Sequence, residues 1–193
     1  MQNYRNYVSP MVEKFFSGKY NGMSGPPKYN YISENGPHPQ SPCRSANGYP
    51  PLDDEAYEYC SDTQTIYLAQ EKMWKYYHFG NIAPAVGLAH EWGHHIQFMA
   101  KVKDPKNDSE YLTHELQADC VAGAWIQYAD QQGWFEGRGG GSIKGVADGF
   151  SKNPDNYPSH GTAGQREKAM LKGFNSGLRA CNEYYPEHHI ISG

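Results

Sequence analysis

The apolar residues of this chain follow one spacing in its first part and another in its second. Near the start, Val12, Phe15 and Phe16 share one side of a short predicted helix that Ser9 can cap, with Pro10 in its first turn and Gly18 at its end. From Asn21 to Pro51 the chain is rich in Gly, Pro, Ser and Asn, and Tyr29-Asn30-Tyr31-Ile32 interrupts it with the alternation of a short strand. Ala56 to Cys60 and Thr65 to Leu68 predict two further strands, joined by Ser61-Asp62-Thr63-Gln64 as a hairpin turn.

The period then becomes helical. A helix is predicted from about Asn81 to about Lys101, because Pro84 is tolerated in a first turn and apolar residues recur beyond it. Val86, Ala89, Gly93, Ile96 and Ala100 form one stripe, and Leu88, Trp92 and Met99 another. A helix that is apolar nearly all round is a buried one. A second helix is expected from about Ser109 to about Gln132, and a third from Thr162 to about Gly173, opened by the capping box of Thr162 and Gln165. No internal repeat interrupts this order. It implies an α+β domain, with a small, largely N-terminal sheet, mixed or antiparallel, above a cluster of helices and a cleft between them.

Length and composition narrow the class. The 193 residues make a single domain, 1–193, large enough to bury a core around a rigid site. A formal net charge of -4 without a basic stretch argues against nucleic acid as a partner. No apolar run reaches the length of a membrane span, and Met1-Gln2-Asn3-Tyr4-Arg5 lacks the features of a signal peptide. Either the protein is not exported or a leader or anchor precedes this segment. Abundant Gly, Pro, Asn and Tyr and an even number of cysteines favour the second option, an extracytoplasmic, loop-rich domain held by cross-links. Cys43 and Cys60 bracket one Pro/Gly/Asp-rich segment, and Cys120 and Cys181 are paired in the same way. No pair has the C-x-x-C spacing of a cysteine-built zinc site.

The candidate chemistry lies on the buried helix. In His90-Glu91-Trp92-Gly93-His94, two histidines four residues apart share one helical face, so both imidazoles can reach one ion while Glu91 reaches a water beside it. Zinc in such a site takes a third protein ligand. The places where a metzincin carries its glycine and third histidine hold Gln97 and Ala100, which excludes that class. In the next helix Glu115 and Asp119 share a face, so that Glu115 can bind the metal while Asp119 accepts a hydrogen bond from a ligand histidine. His95, His114 and Asp119 are rival ligands, but His95 and His114 point about a hundred degrees away from His94 and Glu115. His160 precedes the capped third helix, and Arg166 on that helix can pair with Glu115 or Asp119. Thr65-Ile66-Tyr67-Leu68 is the candidate edge strand for holding an extended peptide, with an ordinary interior strand as the other reading. The tyrosines and tryptophans either pack a small core or coat a binding surface.

Three blocks carry a resemblance: His90-Glu91-Trp92-Gly93-His94-His95-Ile96-Gln97, then Glu115-Leu116-Gln117-Ala118-Asp119-Cys120, then Ser159-His160-Gly161-Thr162-Ala163-Gly164-Gln165-Arg166. In this order they resemble the bacterial family described as "putative neutral zinc metallopeptidase", over roughly Tyr29 to Phe174. The chain departs from the commoner pattern in a short Gly139-Gly140-Gly141 connection before the third block. The resemblance implies a zincin-like, glutamate-ligated peptidase, exported or attached to a membrane, with one zinc ion per chain. It implies His90, His94 and Glu115 as ligands, Glu91 as general base, and His160 as the group that steadies the oxyanion. The expected partner is a peptide or protein substrate; oligomeric state is open. Two other classes stay in view: a zincin-like module that keeps the metal without activity, and a disulfide domain whose histidines meet no metal.

Overall fold

The computed structural model describes residues 1–17, 19, 25–43, 52–134, 139–152 and 160–191. Its fold is mixed α+β. The elements run α1 (Gln2–Phe16), β1 (Lys28–Ile32), β2 (Tyr57–Cys60), β3 (Thr65–Ala69), α2 (Gln70–Tyr77), α3 (Ala83–Met99), α4 (Asp108–Gln131), α5 (Gly139–Ser151) and α6 (Ala163–Ser176), then a 3-10 helix, Leu178–Tyr184. Gly18 and Ser159, named above, lie outside the described residues. Among the described residues no helix is long and apolar enough to cross a membrane.

The sheet has the order β1-β3-β2, with β1 parallel and β2 antiparallel to β3. Here the expected edge strand needs correction: Thr65–Ala69 is the middle strand, paired along both sides. All five of its residues are buried, Ile66 and Leu68 in the main core with Val86 and Trp92, and Tyr67 and Ala69 in a second cluster with Ile32, Leu52 and Cys60. A strand covered on both faces reads as a continuous apolar run rather than an alternation, and an interior position demands that. β2 is therefore an edge strand.

α1 also departs from expectation. It begins at Gln2, so Pro10 lies inside the helix and Ser9 does not cap it. Pro10 is exposed, and Val8, Val12, Phe15 and Phe16 on the other side are buried, so packing of this stripe outweighs the hydrogen bond that proline forfeits. The glycines at 139–141 are likewise not a connection, since α5 starts at Gly139. Buried Ile143, Val146, Ala147 and Phe150, at helical spacing, hold that helix against the core.

Two cross-links brace this frame. Cys43 and Cys60 stand at disulfide distance with Cα atoms 5.6 Å apart, and Cys120 and Cys181 with Cα atoms 5.7 Å apart. The first ties a loop to the end of β2, and the second ties the 3-10 helix to α4. α4 and α6 form the closest helix pair, and Gly173 is where they touch: a Cβ there would run into the Cys120 carbonyl oxygen. Backbone cannot yield as a flexible side chain can. Gly173→Ala is expected to cost about 3 kcal/mol, a Tm loss of roughly 6–12 °C for a domain of this size, measured by thermal unfolding.

Candidate metal centre

α3 brings His90 and His94 to one face, one turn apart, and α4 crosses it closely enough to add Glu115. Gly93 allows that approach, since a Cβ there would come within 2.8 Å of Ala118 Cα. Among the described residues, His90, His94 and Glu115 form the group whose ligand atoms all lie within 4.8 Å of one another. His90 Nε2 is 3.1 Å from His94 Nε2 and 3.1 Å from Glu115 Oε2, and His94 Nε2 is 3.5 Å from Glu115 Oε1.

The surroundings fix how each imidazole presents itself. His90 Nδ1 lies 2.9 Å from Asp119 Oδ1, and Arg166 donates to both oxygens of that carboxylate, Nε to Oδ2 at 2.9 Å and the second guanidinium nitrogen to Oδ1 at 2.8 Å. His94 Nδ1 meets Gln97 Oε1 at 2.8 Å. Gln97 Nε2 donates to the His114 carbonyl at 2.8 Å and to Gln117 Oε1 at 3.0 Å, and Gln117 Nε2 donates to the Cys181 carbonyl at 2.9 Å. A backbone carbonyl can only accept, so each amide is anchored with its nitrogen toward it and its oxygen free to accept. In its neutral form, the form that binds a metal, each ring then carries its hydrogen on Nδ1 and turns the Nε2 lone pair toward Glu115. Glu115 Oε2 is buried and has no hydrogen-bond partner. An orphaned carboxylate oxygen facing two imidazole lone pairs is a donor set that fits zinc.

Charge and burial act in opposite directions here. Burial disfavours a charged His90, but the hydrogen bond and charge of Asp119, followed by those of Glu115, raise its pKa to about 10. Burial would raise Glu115, yet His94 and His90 hold it well below the usual carboxylate range. Asp119 is lowered in the same sense, against its burial, chiefly by the Arg166 charge. For Glu91 burial prevails: it pushes the carboxyl up to about 7, with Glu115 and Glu58 adding to it and the charges of His90 and His94 only partly opposing it. His160 Nε2 stands 3.5 Å from Glu115 Oε2, with its side chain 33% exposed.

Of the rival histidines, His95 is fully buried and away from the cluster, with Nδ1 on the Tyr59 hydroxyl at 3.0 Å and Nε2 on the Gly25 carbonyl at 3.0 Å. His114 is also outside the cluster, but it lines the cleft and stacks on the His94 ring, centroids 5.3 Å apart. Arg166 pairs with Asp119, which resolves the two partners considered for it. Gln97 and Gln117 were not singled out from the sequence. The signal for Gln97 was its place three residues after His94, on the same helical face.

The cleft has two lobes that meet at His90, Glu91 and His160. One, of about 310 Å³, is walled by Tyr59, Phe98 and Tyr111; the other, of about 260 Å³, reaches past Gly87 to Phe150 and Lys72.

Among known proteins, Uncharacterized protein YpfJ of Escherichia coli strain K12 is 30% identical over 128 residues, a match covering 54% of this chain and 44% of that protein. Its counterpart in Escherichia coli O6:H1 strain CFT073 matches to the same extent. The chain thus spans less than half the length of these curated relatives. No solved structure matches it. The family described as "Putative neutral zinc metallopeptidase" matches residues 41–184, a span that takes in all three sequence blocks and well over half of the chain. This chain belongs to that family.

Proposed function

We propose that this chain is a zinc-dependent peptidase domain, with His90, His94 and Glu115 as the ligands of one zinc ion and Glu91 as the general base. The observation that carries the reading is the convergence of three ligand atoms, those of His90, His94 and Glu115, beside Glu91 near the junction of the two lobes. When bound, zinc would polarise the scissile carbonyl and make a neighbouring water acidic enough to attack near neutral pH.

The remaining steps belong to the chain. The Glu91 carboxylate takes the proton of the attacking water as the C–O bond forms, and returns it to the amine nitrogen as the C–N bond breaks. His160 donates a hydrogen bond to the oxygen on which negative charge develops. Asp119 and Gln97 hold the ligand rings. The outer edge of β2, unpaired with any other strand among the described residues, lies along the cleft with Tyr57, Glu58 and Tyr59 among its lining, and can supply main-chain groups to which an extended peptide pairs as an added strand. Two disulfides support an extracytoplasmic setting, where such bonds persist.

Glu91→Gln keeps the size of the side chain and removes the base. The variant is expected to retain one zinc per chain by metal analysis and to lose peptide cleavage by about 100-fold or more. Cleavage at the wild-type rate would remove Glu91 from the mechanism, and a zinc-loaded wild type that cleaves no peptide would leave a metal-binding module. Gln97→Leu is expected to weaken zinc binding about 10- to 100-fold in competition with a chromophoric chelator, because the Nδ1 hydrogen of His94 loses its acceptor.

A further inference from the structure

Glu58 differs from the carboxylates that are ion-paired. Glu55 is held by Lys72 and Lys75, Asp119 by Arg166, and Glu115 by the histidine cluster. The Glu58 side chain accepts one hydrogen bond, from Ser41 Oγ at 3.1 Å, and among the described residues no Lys, Arg or His lies within ion-pair distance of it. Its pKa is raised, first by burial and then by the neighbouring Asp53, against the Ser41 hydrogen bond. A carboxylate withdrawn from water and given no cation is a costly arrangement unless something else supplies the charge.

Its position says what that is. Tyr57 and Tyr59 send their hydroxyls to α3, to the Pro84 carbonyl at 2.5 Å and to His95 Nδ1 at 3.0 Å, so Glu58 between them projects from the other face of β2. β2 is an edge strand along the cleft, and Glu58 is part of the lining of both lobes. In an antiparallel pairing, the residue opposite Glu58 projects from the same face as Glu58, within reach of its carboxylate. The larger lobe adds a second, independent feature. Outside the His/Glu cluster its charged lining is Glu58 and Asp104, both acidic, whereas the smaller lobe also holds Lys72 and Arg166, which pair with Glu55 and Asp119. Phe98 and Tyr111, large aromatic residues 42% and 45% exposed, line the larger lobe as well. A lobe that offers acidic and aromatic groups together suits an ammonium or guanidinium group.

We propose that Glu58 is a specificity-determining residue that selects peptides carrying a cationic group, a Lys or Arg side chain or a free α-ammonium, opposite it on the β2 edge. This rests on the peptidase reading and names its substrate class.

The test uses the zinc-loaded protein and internally quenched peptides in which a single Arg is moved along the sequence and, in each matched peptide, replaced by citrulline, which keeps the shape and removes the charge. Each pair is made with free and with acetylated N-termini. At one position the Arg peptide is expected to exceed its citrulline match in kcat/KM by about tenfold or more, and this ratio is expected to fall close to one in Glu58→Gln, whose amide oxygen still accepts from Ser41. If the dependence on Glu58 appears only with free N-termini, the cation is the α-ammonium. A wild-type ratio near one at every position, with equal rates for free and acetylated peptides, overturns the proposal while leaving the peptidase intact; so does a ratio that Glu58→Gln leaves unchanged. Should the wild type cleave nothing, the peptidase reading fails by itself. Fluorescence anisotropy of the same peptides on zinc-loaded protein then still decides the role of Glu58: tighter binding of Arg than of citrulline, lost in Glu58→Gln, supports it, and equal binding overturns it.

Discussion

One buried carboxylate holds the helical half of this molecule in register. Asp119 is fully shielded from water, and a charge so placed must be neutralised and hydrogen-bonded on every side. It lies on α4, takes a two-point hydrogen bond from Arg166 on α6, and accepts from His90 on α3. Three helices are thereby fixed around one group. Removing any partner would leave the others buried and charged, so the arrangement is all or nothing. The candidate centre inherits that rigidity, because His90 is a member of the network and Glu115 sits one turn away from Asp119 on the same helix face.

The other side of α3 is fixed by hydroxyls. Tyr29, Tyr57 and Tyr59 come from the two outer strands, and their hydroxyls meet Trp92 Nε1 at 2.8 Å, the Pro84 carbonyl at 2.5 Å and His95 Nδ1 at 3.0 Å. Each ring fills apolar space between sheet and helix while its oxygen satisfies a polar atom that the helix would otherwise bury. The abundance of tyrosine thus has a structural use in these three. They allow a helix apolar nearly all round to carry histidines and a tryptophan without stranding their nitrogens.

What could be read from the sequence divides along physical lines. α3, α4 and α6 were legible because their apolar period is long and, for α6, because Thr162 and Gln165 write its start in a capping box that the fold contains. Gathering His90, His94 and Glu115 needed only helical spacing and the valence of a zinc site. The interior place of β3 was not legible, since a five-residue apolar run looks the same at an edge and in the middle until the second cluster, around Leu52 and Cys60, is folded over it. α1 and α5 were misread where local rules were applied to Pro10 and to the glycines at 139–141, and tertiary packing overrode both. Glu58 gave no signal, because an acid in a predicted strand acquires meaning only from what lies around it in space, here an edge of the cleft with no cation in ion-pair distance among the described residues.

The two disulfides bear on the cleft rather than on the fold in general. Cys60 ends β2, the strand that borders the cleft on the sheet side, and Cys120 follows Asp119 directly on α4, which supplies Glu115 from the helical side. The second link also closes the amide chain: Gln117 is anchored on the carbonyl of Cys181, so the cross-link supports Gln97 and, through it, His94. Each border of the cleft is therefore backed by a covalent cross-link close behind its working residues. Polar groups aimed at developing charge are most effective when they need not reorganise as the reaction proceeds. On the proposed peptidase reading, the cross-links stand along the strand that a substrate would pair with and behind the helix that supplies Glu115.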